Sequence, residues 1–105
     1  MEQPNLLYIN ELSKGDEDFK KQVVAVLKEE LSGEIENYFS HIKNRDLKKT
    51  KEIVHRIKHK MSILGLEKSY KITNEFENNL ADNSIENKEY FENVLPVMLA
   101  FLKKL

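Results

Sequence analysis

Apolar residues recur at spacings of three and four along most of this chain, which is the signature of amphipathic helices. The longest such stripe carries Phe19, Val23, Val26, Leu27, Leu31, Ile35, Tyr38, Phe39 and Ile42. Asp16, placed after Gly15, is the predicted N-cap, because its carboxylate can accept from orphan amides and complement the helix dipole. Gly33 lies inside this stretch at a cost of about 1 kcal/mol relative to Ala. A bend and a close helix contact are both open as its reason. Upstream, Leu6, Leu7, Ile9 and Leu12 predict a short helix that covers one end of the fold.

After the polar break Lys43-Asn44-Arg45, Asp46 repeats the capping pattern. Leu47, Thr50, Val54, Ile57, Met61 and Leu64 then keep helical spacing as far as Gly65, whose predicted role is a positive-φ helix stop. A fourth helix is predicted from about Glu67 to Leu80 with Ile72, Phe76 and Leu80 inward. The run Ala81-Asp82-Asn83-Ser84 offers turn and cap residues before a fifth, which carries Phe91, Val94, Leu95, Met98, Phe101, Leu102 and Leu105. Pro96 sits within it. Because the apolar period runs through the proline, a kink costing up to about 3 kcal/mol is expected in place of a break. No Asn-Gly or Asp-Gly stands between alternating apolar residues, so no hairpin is predicted. Long amphipathic helices with short connections bury their stripes against one another. The expectation is an all-α, up-and-down antiparallel four-helix bundle with a short extra N-terminal helix, one domain over residues 1–105.

Composition narrows the function. Charged residues make up 33 % and hydrophobic residues 40 %, too apolar a balance for a disordered segment. A formal net charge of -1 provides no global field that would attract nucleic acid or an anionic membrane. With no cysteine, thiolate nucleophiles and sulfur-based zinc sites are excluded. Met1 to Asn10 lacks the basic flank and apolar run of a signal peptide, and no apolar stretch approaches membrane-spanning length, so a cytoplasmic location is expected; the chain is also expected to be a monomer. No glycine-rich loop is present to cradle a nucleotide.

Candidate chemistry concentrates on the third helix. At about 100° per residue, Lys48, Lys51, His55, Lys58, His59 and Ser62 share a polar, positive face beside the core stripe. His55 follows the core position Val54, which directs its imidazole to solvent beside the helix wall. An exposed imidazole is largely unprotonated at neutral pH, since its unperturbed pKa is about 6.5, and it can act as a nucleophile. Lys58, one turn on, brings an ammonium near any anion that His55 acquires. A solvated lysine-rich surface that happens to hold a histidine is the competing reading of the same residues.

The run His55-Arg56-Ile57-Lys58-His59-Lys60-Met61-Ser62-Ile63-Leu64-Gly65-Leu66 resembles the signature of histidine-containing phosphotransfer (HPt) domains. In that signature the acceptor histidine is followed by an apolar residue at +2, Lys at +3, Gly usually at +4, an apolar residue at +9, Gly at +10 and often an apolar residue at +11. All but the +4 glycine are present. Lys14-Gly15-Asp16-Glu17-Asp18-Phe19, Asn44-Arg45-Asp46-Leu47 and Phe76-Glu77 extend the resemblance over nearly the whole chain. It implies a four-helix bundle, His55 as phosphoryl acceptor and Lys58 as the residue that steadies the phosphoryl group. The implied partners are receiver domains of hybrid histidine kinases and response regulators, which would supply the acidic pocket and Mg²⁺; the chain itself would be a carrier with no cofactor of its own and not an enzyme.

His59 departs from that pattern. It stands where the family usually has glycine, so it can crowd a docking receiver, restrict partner choice or contact the phosphate. His59, Ser62, Lys51 and Gly65 are therefore candidate docking residues, and Ile63 and Leu66 belong either to that surface or to the packing against a neighbouring helix. Met61, bulkier than the small residue common at +6, is expected to fill the core. Two other readings stay open. The i,i+4 pair His55 and His59 can present two imidazoles to a divalent metal. Arg56 stands where a HExxH protease needs its glutamate, and no third ligand is apparent, His41 being on another helix. Alternatively, the bundle is a docking module whose histidine no longer carries phosphate.

Overall fold

Capping aspartates start two of the helices. In the computed structural model, which describes all 105 residues, Asp16 accepts from the Phe19 amide at 3.0 Å and Asp46 from the Lys49 amide at 3.1 Å. They open α2 (Glu17–Lys43) and α3 (Leu47–Ile63); the other helices are α1 (Leu7–Ser13), α4 (Glu67–Ala81) and α5 (Lys88–Lys103), and there are no strands. Helix α5 continues through Pro96, whose exposed position keeps the missing amide away from the core. Asn83 and Asn87 adopt positive φ in the α4–α5 connection, and α5 begins after Asn87 with no side-chain cap, later than the run 81–84 suggested. No helix is long and apolar enough to cross a membrane.

The helices pack in sequence order, α2 on α3, α3 on α4 and α4 on α5, and α5 closes back on α2, while α1 lies on α2. Ile9, Leu31, Tyr38, Val54, Ile57, Met61, Leu64, Leu66, Phe76, Phe91, Val94 and Met98 are completely shielded within the core they enclose. Aromatic rings join three helices inside it: Tyr38 and Phe91 have centroids 4.9 Å apart, Phe91 and Phe76 5.3 Å. The buried Tyr38 hydroxyl donates to Glu92 Oε2 at 2.8 Å, which Lys88 Nζ also meets at 2.9 Å. Burial and the Glu92 carboxylate both oppose the phenolate, so the Tyr38 hydroxyl is pushed far above its ordinary value of 10.0.

The stripe assigned to α2 is wider than the surface that packs. Phe19, Val26 and Phe39 are exposed, while Val24 is buried. Only about a third of a helix's circumference can face its neighbours, and nine stripe residues cover more than that. Leu7 and Leu12 of α1 are likewise exposed, leaving Ile9 as its anchor. Ile72 is half-buried and Leu105 is exposed beyond the end of α5. A Cβ at Gly33 would meet nothing within 4 Å, which removes the close helix contact as its explanation.

The segment before α1 straps the α3–α4 turn. Gly65 has φ +75, the left-handed conformation expected of the helix stop. The Asn5 amide donates to the Leu64 carbonyl at 2.8 Å, and the Asn5 side chain lies so close to Gly65 that a Cβ there would collide with it. Helix α4 lacks a cap of its own, and Glu2 supplies it: its carboxylate accepts from the Lys68 and Ser69 amides, both at 2.9 Å, and from Ser69 Oγ at 3.1 Å. Partial burial works against the charge of Glu2, but those bonds and the Lys68 ammonium outweigh it and lower the pKa below 4.5.

Candidate functional site

His55 rises from the middle of α3, one step beyond the core residue Val54, and its side chain is 50 % exposed. Its ring is held from both ends. Nδ1 lies 3.1 Å from both oxygens of Glu77 on α4, and Nε2 lies 3.1 Å from Nε2 of His59. A carboxylate can only accept, so Nδ1 of the neutral ring carries the proton and the lone pair sits on Nε2. His59 must then be the donor toward His55, with its own proton on Nε2. The two rings meet edge to face, centroids 4.6 Å apart.

Lys58 is not the exposed ammonium expected from the sequence. Its side chain is 7 % exposed, and Nζ is bonded to Asn74 Oδ1 at 3.0 Å and to Glu77 Oε1 at 3.1 Å, with the Tyr70 ring 5.4 Å away. The reason is geometric: α3 and α4 form the most extensively packed helix pair, and a long lysine near their seam reaches a carboxylate on the facing helix before it reaches water. Glu77 thus receives two donors at once, the His55 imidazole and the Lys58 ammonium.

The remaining predicted residues divide. Lys51, with Glu52, Arg56 and Glu77, lines the same shallow depression as His55. Ser62 and Gly65 do not; they border a separate depression with Asn5, Leu7, Tyr8 and Tyr70 near the strap. Leu66 is completely buried and Ile63 half-buried, so Leu66 belongs to the core and not to a docking surface. Met61 fills the core as expected, its sulfur accepting from Thr73 Oγ1 at 3.2 Å. On the other side of His59, a groove between α2 and α3 is lined by Val26, Glu30, Glu34, Asn37, Arg56 and Lys60. There Lys60 Nζ pairs with Glu34 at 2.9 Å and Glu30 at 3.1 Å, a buried lysine that the sequence did not single out.

Glu77 and Asn74 are the site residues that sequence reading left without a role. A signal existed. Gly65 turns α3 back into α4, and His55 lies ten residues before it and Glu77 twelve after it, so the two face each other across the helical hairpin. Glu77 also follows the core residue Phe76 as His55 follows Val54, which tilts both polar side chains to the same edge of the seam. The fold brings together no group of three or more His, Asp and Glu side chains arranged to hold a metal ion. No protein-family model matches this chain, and neither a curated protein nor a solved structure matches it.

Proposed function

We propose that this chain is a histidine phosphotransfer protein, accepting a phosphoryl group on His55 Nε2 from a phospho-aspartate and passing it to another aspartate. The observation that carries the reading is the pairing of a half-exposed imidazole with a partly buried carboxylate: Glu77, 3.1 Å from Nδ1, fixes the tautomer whose lone pair lies on Nε2. In the transfer, the Nε2 lone pair attacks phosphorus, the bond from phosphorus to the aspartyl oxygen breaks, and the carboxylate leaves with the electron pair. The ring then bears positive charge, which Glu77 balances through the Nδ1–H bond, as a buried aspartate does for a catalytic histidine. Lys58 acts through Glu77 in this scheme, holding the carboxylate in place. In this scheme the chain is a carrier, and the partner receiver supplies Mg²⁺ and the acidic pocket.

The closed ring of contacts α2–α3–α4–α5 supports an antiparallel four-helix bundle with α1 as the extra N-terminal helix, the architecture that the resemblance to HPt domains implies. A cytoplasmic monomer working between receivers suits that role. The decisive experiment is incubation with phosphorylated receiver domains from the same cell. Acid-labile, base-stable label should appear on the wild type and vanish in His55→Gln with helicity intact; label that survives the substitution, or no label from any receiver, refutes the proposal.

One observation favours a second reading, a docking module that no longer carries phosphate. His59 Nε2 lies 3.1 Å from the very nitrogen that transfer requires. If removing His59 still gives no phosphoryl uptake while a receiver binds the unlabelled protein, the docking reading replaces the first.

A further inference from the structure

The meeting of two imidazole nitrogens on one helix face has a second chemical meaning. His55 Nε2 and His59 Nε2 are 3.1 Å apart. Two nitrogens bound to one tetrahedral Zn²⁺ at about 2.0–2.1 Å each lie roughly 3.3 Å from one another. The spacing therefore needs almost no change for both to bind one ion. Nor do the rings point head to head: centroids only 4.6 Å apart at an interplanar angle of 89° require the ring axes to be tilted off the line between the nitrogens. Small side-chain rotations bring both lone pairs onto a point to one side of it.

We infer that His55 and His59 form a two-imidazole site for a divalent late transition-metal ion such as Zn²⁺, with Glu77 as its outer-sphere support. Glu77 accepts from His55 Nδ1 at 3.1 Å, the carboxylate–histidine arrangement that fixes ring orientation and raises the basicity of a metal-binding nitrogen. His55 already offers its lone pair on Nε2. For His59, the proton moves through solvent from Nε2 to Nδ1, so a neutral pair binds the ion with no net proton release. Imidazole selects such ions over Mg²⁺, which prefers oxygen ligands. Water fills the remaining positions, making this a weaker chelate than a three-ligand site, one that an exchangeable ion can enter and leave. The ion uses the same lone pair as the phosphoryl group, so on the reading of the preceding section the two exclude each other; binding itself does not depend on that reading.

The test is calorimetric titration of the full chain with ZnCl₂ at pH 7.5, beside the His55→Gln, His59→Gln and His41→Gln variants, with histidine ring proton shifts followed by NMR. One Zn²⁺ per chain is expected, weakened about tenfold or more by either of the first two substitutions. His41→Gln should leave the affinity unchanged, the shifts should be confined to residues 55 and 59, and MgCl₂ should be silent. Because both imidazoles are exposed, the variants keep the wild-type circular dichroism spectrum. Absence of Zn²⁺ binding, or affinity retained in His59→Gln, overturns the site whether or not His55 carries phosphate.

Discussion

Lys58 offers the sharpest quantitative test, because the sequence and the structure imply opposite outcomes for its replacement. An exposed lysine contributes little, since surface ion pairs are worth about 0–1 kcal/mol. In the structure its ammonium instead joins Asn74 at 3.0 Å and Glu77 at 3.1 Å, and the two side chains of the ion pair are only 7 % and 13 % exposed. Breaking a fully buried pair costs about 3–5 kcal/mol, largely by leaving the partner charge uncompensated. Glu77 keeps the His55 Nδ1–H and some water, so the loss falls between these limits, and Lys58→Met should destabilise by about 2 kcal/mol. For a domain of this size that lowers Tm by about 10 °C. Lys58→Ala should cost about 1 kcal/mol more, since the aliphatic stem is lost as well. Thermal unfolding by circular dichroism at pH 7 measures both. A Lys58→Met protein melting within about 2 °C of wild type would refute the buried pair and return Lys58 to solvent as a free ligand for phosphate.

Further expectations follow from other contacts. Gly65→Ala should cost about 2–3 kcal/mol in denaturant unfolding, because φ +75 strains alanine and the new Cβ displaces Asn5, whose Oδ1 accepts the Leu7 amide at 3.0 Å. Glu2 carries a lowered pKa, so its charge stabilises the fold above the ordinary carboxyl value of 4.5, and that contribution fades as the pH falls through the lower folded value. The Tm gap between wild type and Glu2→Gln should therefore be largest near neutrality and shrink in acid; a gap independent of pH would show that the carboxylate is not the cap. His59→Gly should accelerate phosphoryl uptake by freeing the His55 lone pair, read as the initial labelling rate, and an unchanged rate would show that the His55–His59 bond does not restrain the nucleophile.

Local order along this chain was written in its residues. Asp16 and Asp46 announced their helices because capping depends on a few neighbouring amides, and Val54, Ile57, Met61 and Leu64 declared the buried face of α3 because a single helix repeats every 3.6 residues. The exposure of His55 followed from its step beyond Val54. Periodicity does not state how wide the packed face is: Phe19, Val26 and Phe39 share the apolar stripe of α2 and yet stand in water. Only the tertiary structure decided the electrostatics of the site. Whether Lys58 meets solvent or a carboxylate depends on what α4 presents across the seam, and the partners, Asn74 and Glu77, lie sixteen and nineteen residues away in sequence. The strap is of the same kind: Glu2 caps a helix that starts at Glu67, a contact that no local pattern encodes. Charge and hydrogen bonding act between groups that folding brings within about 3 Å, and that proximity is a property of the packed helices, not of any one segment.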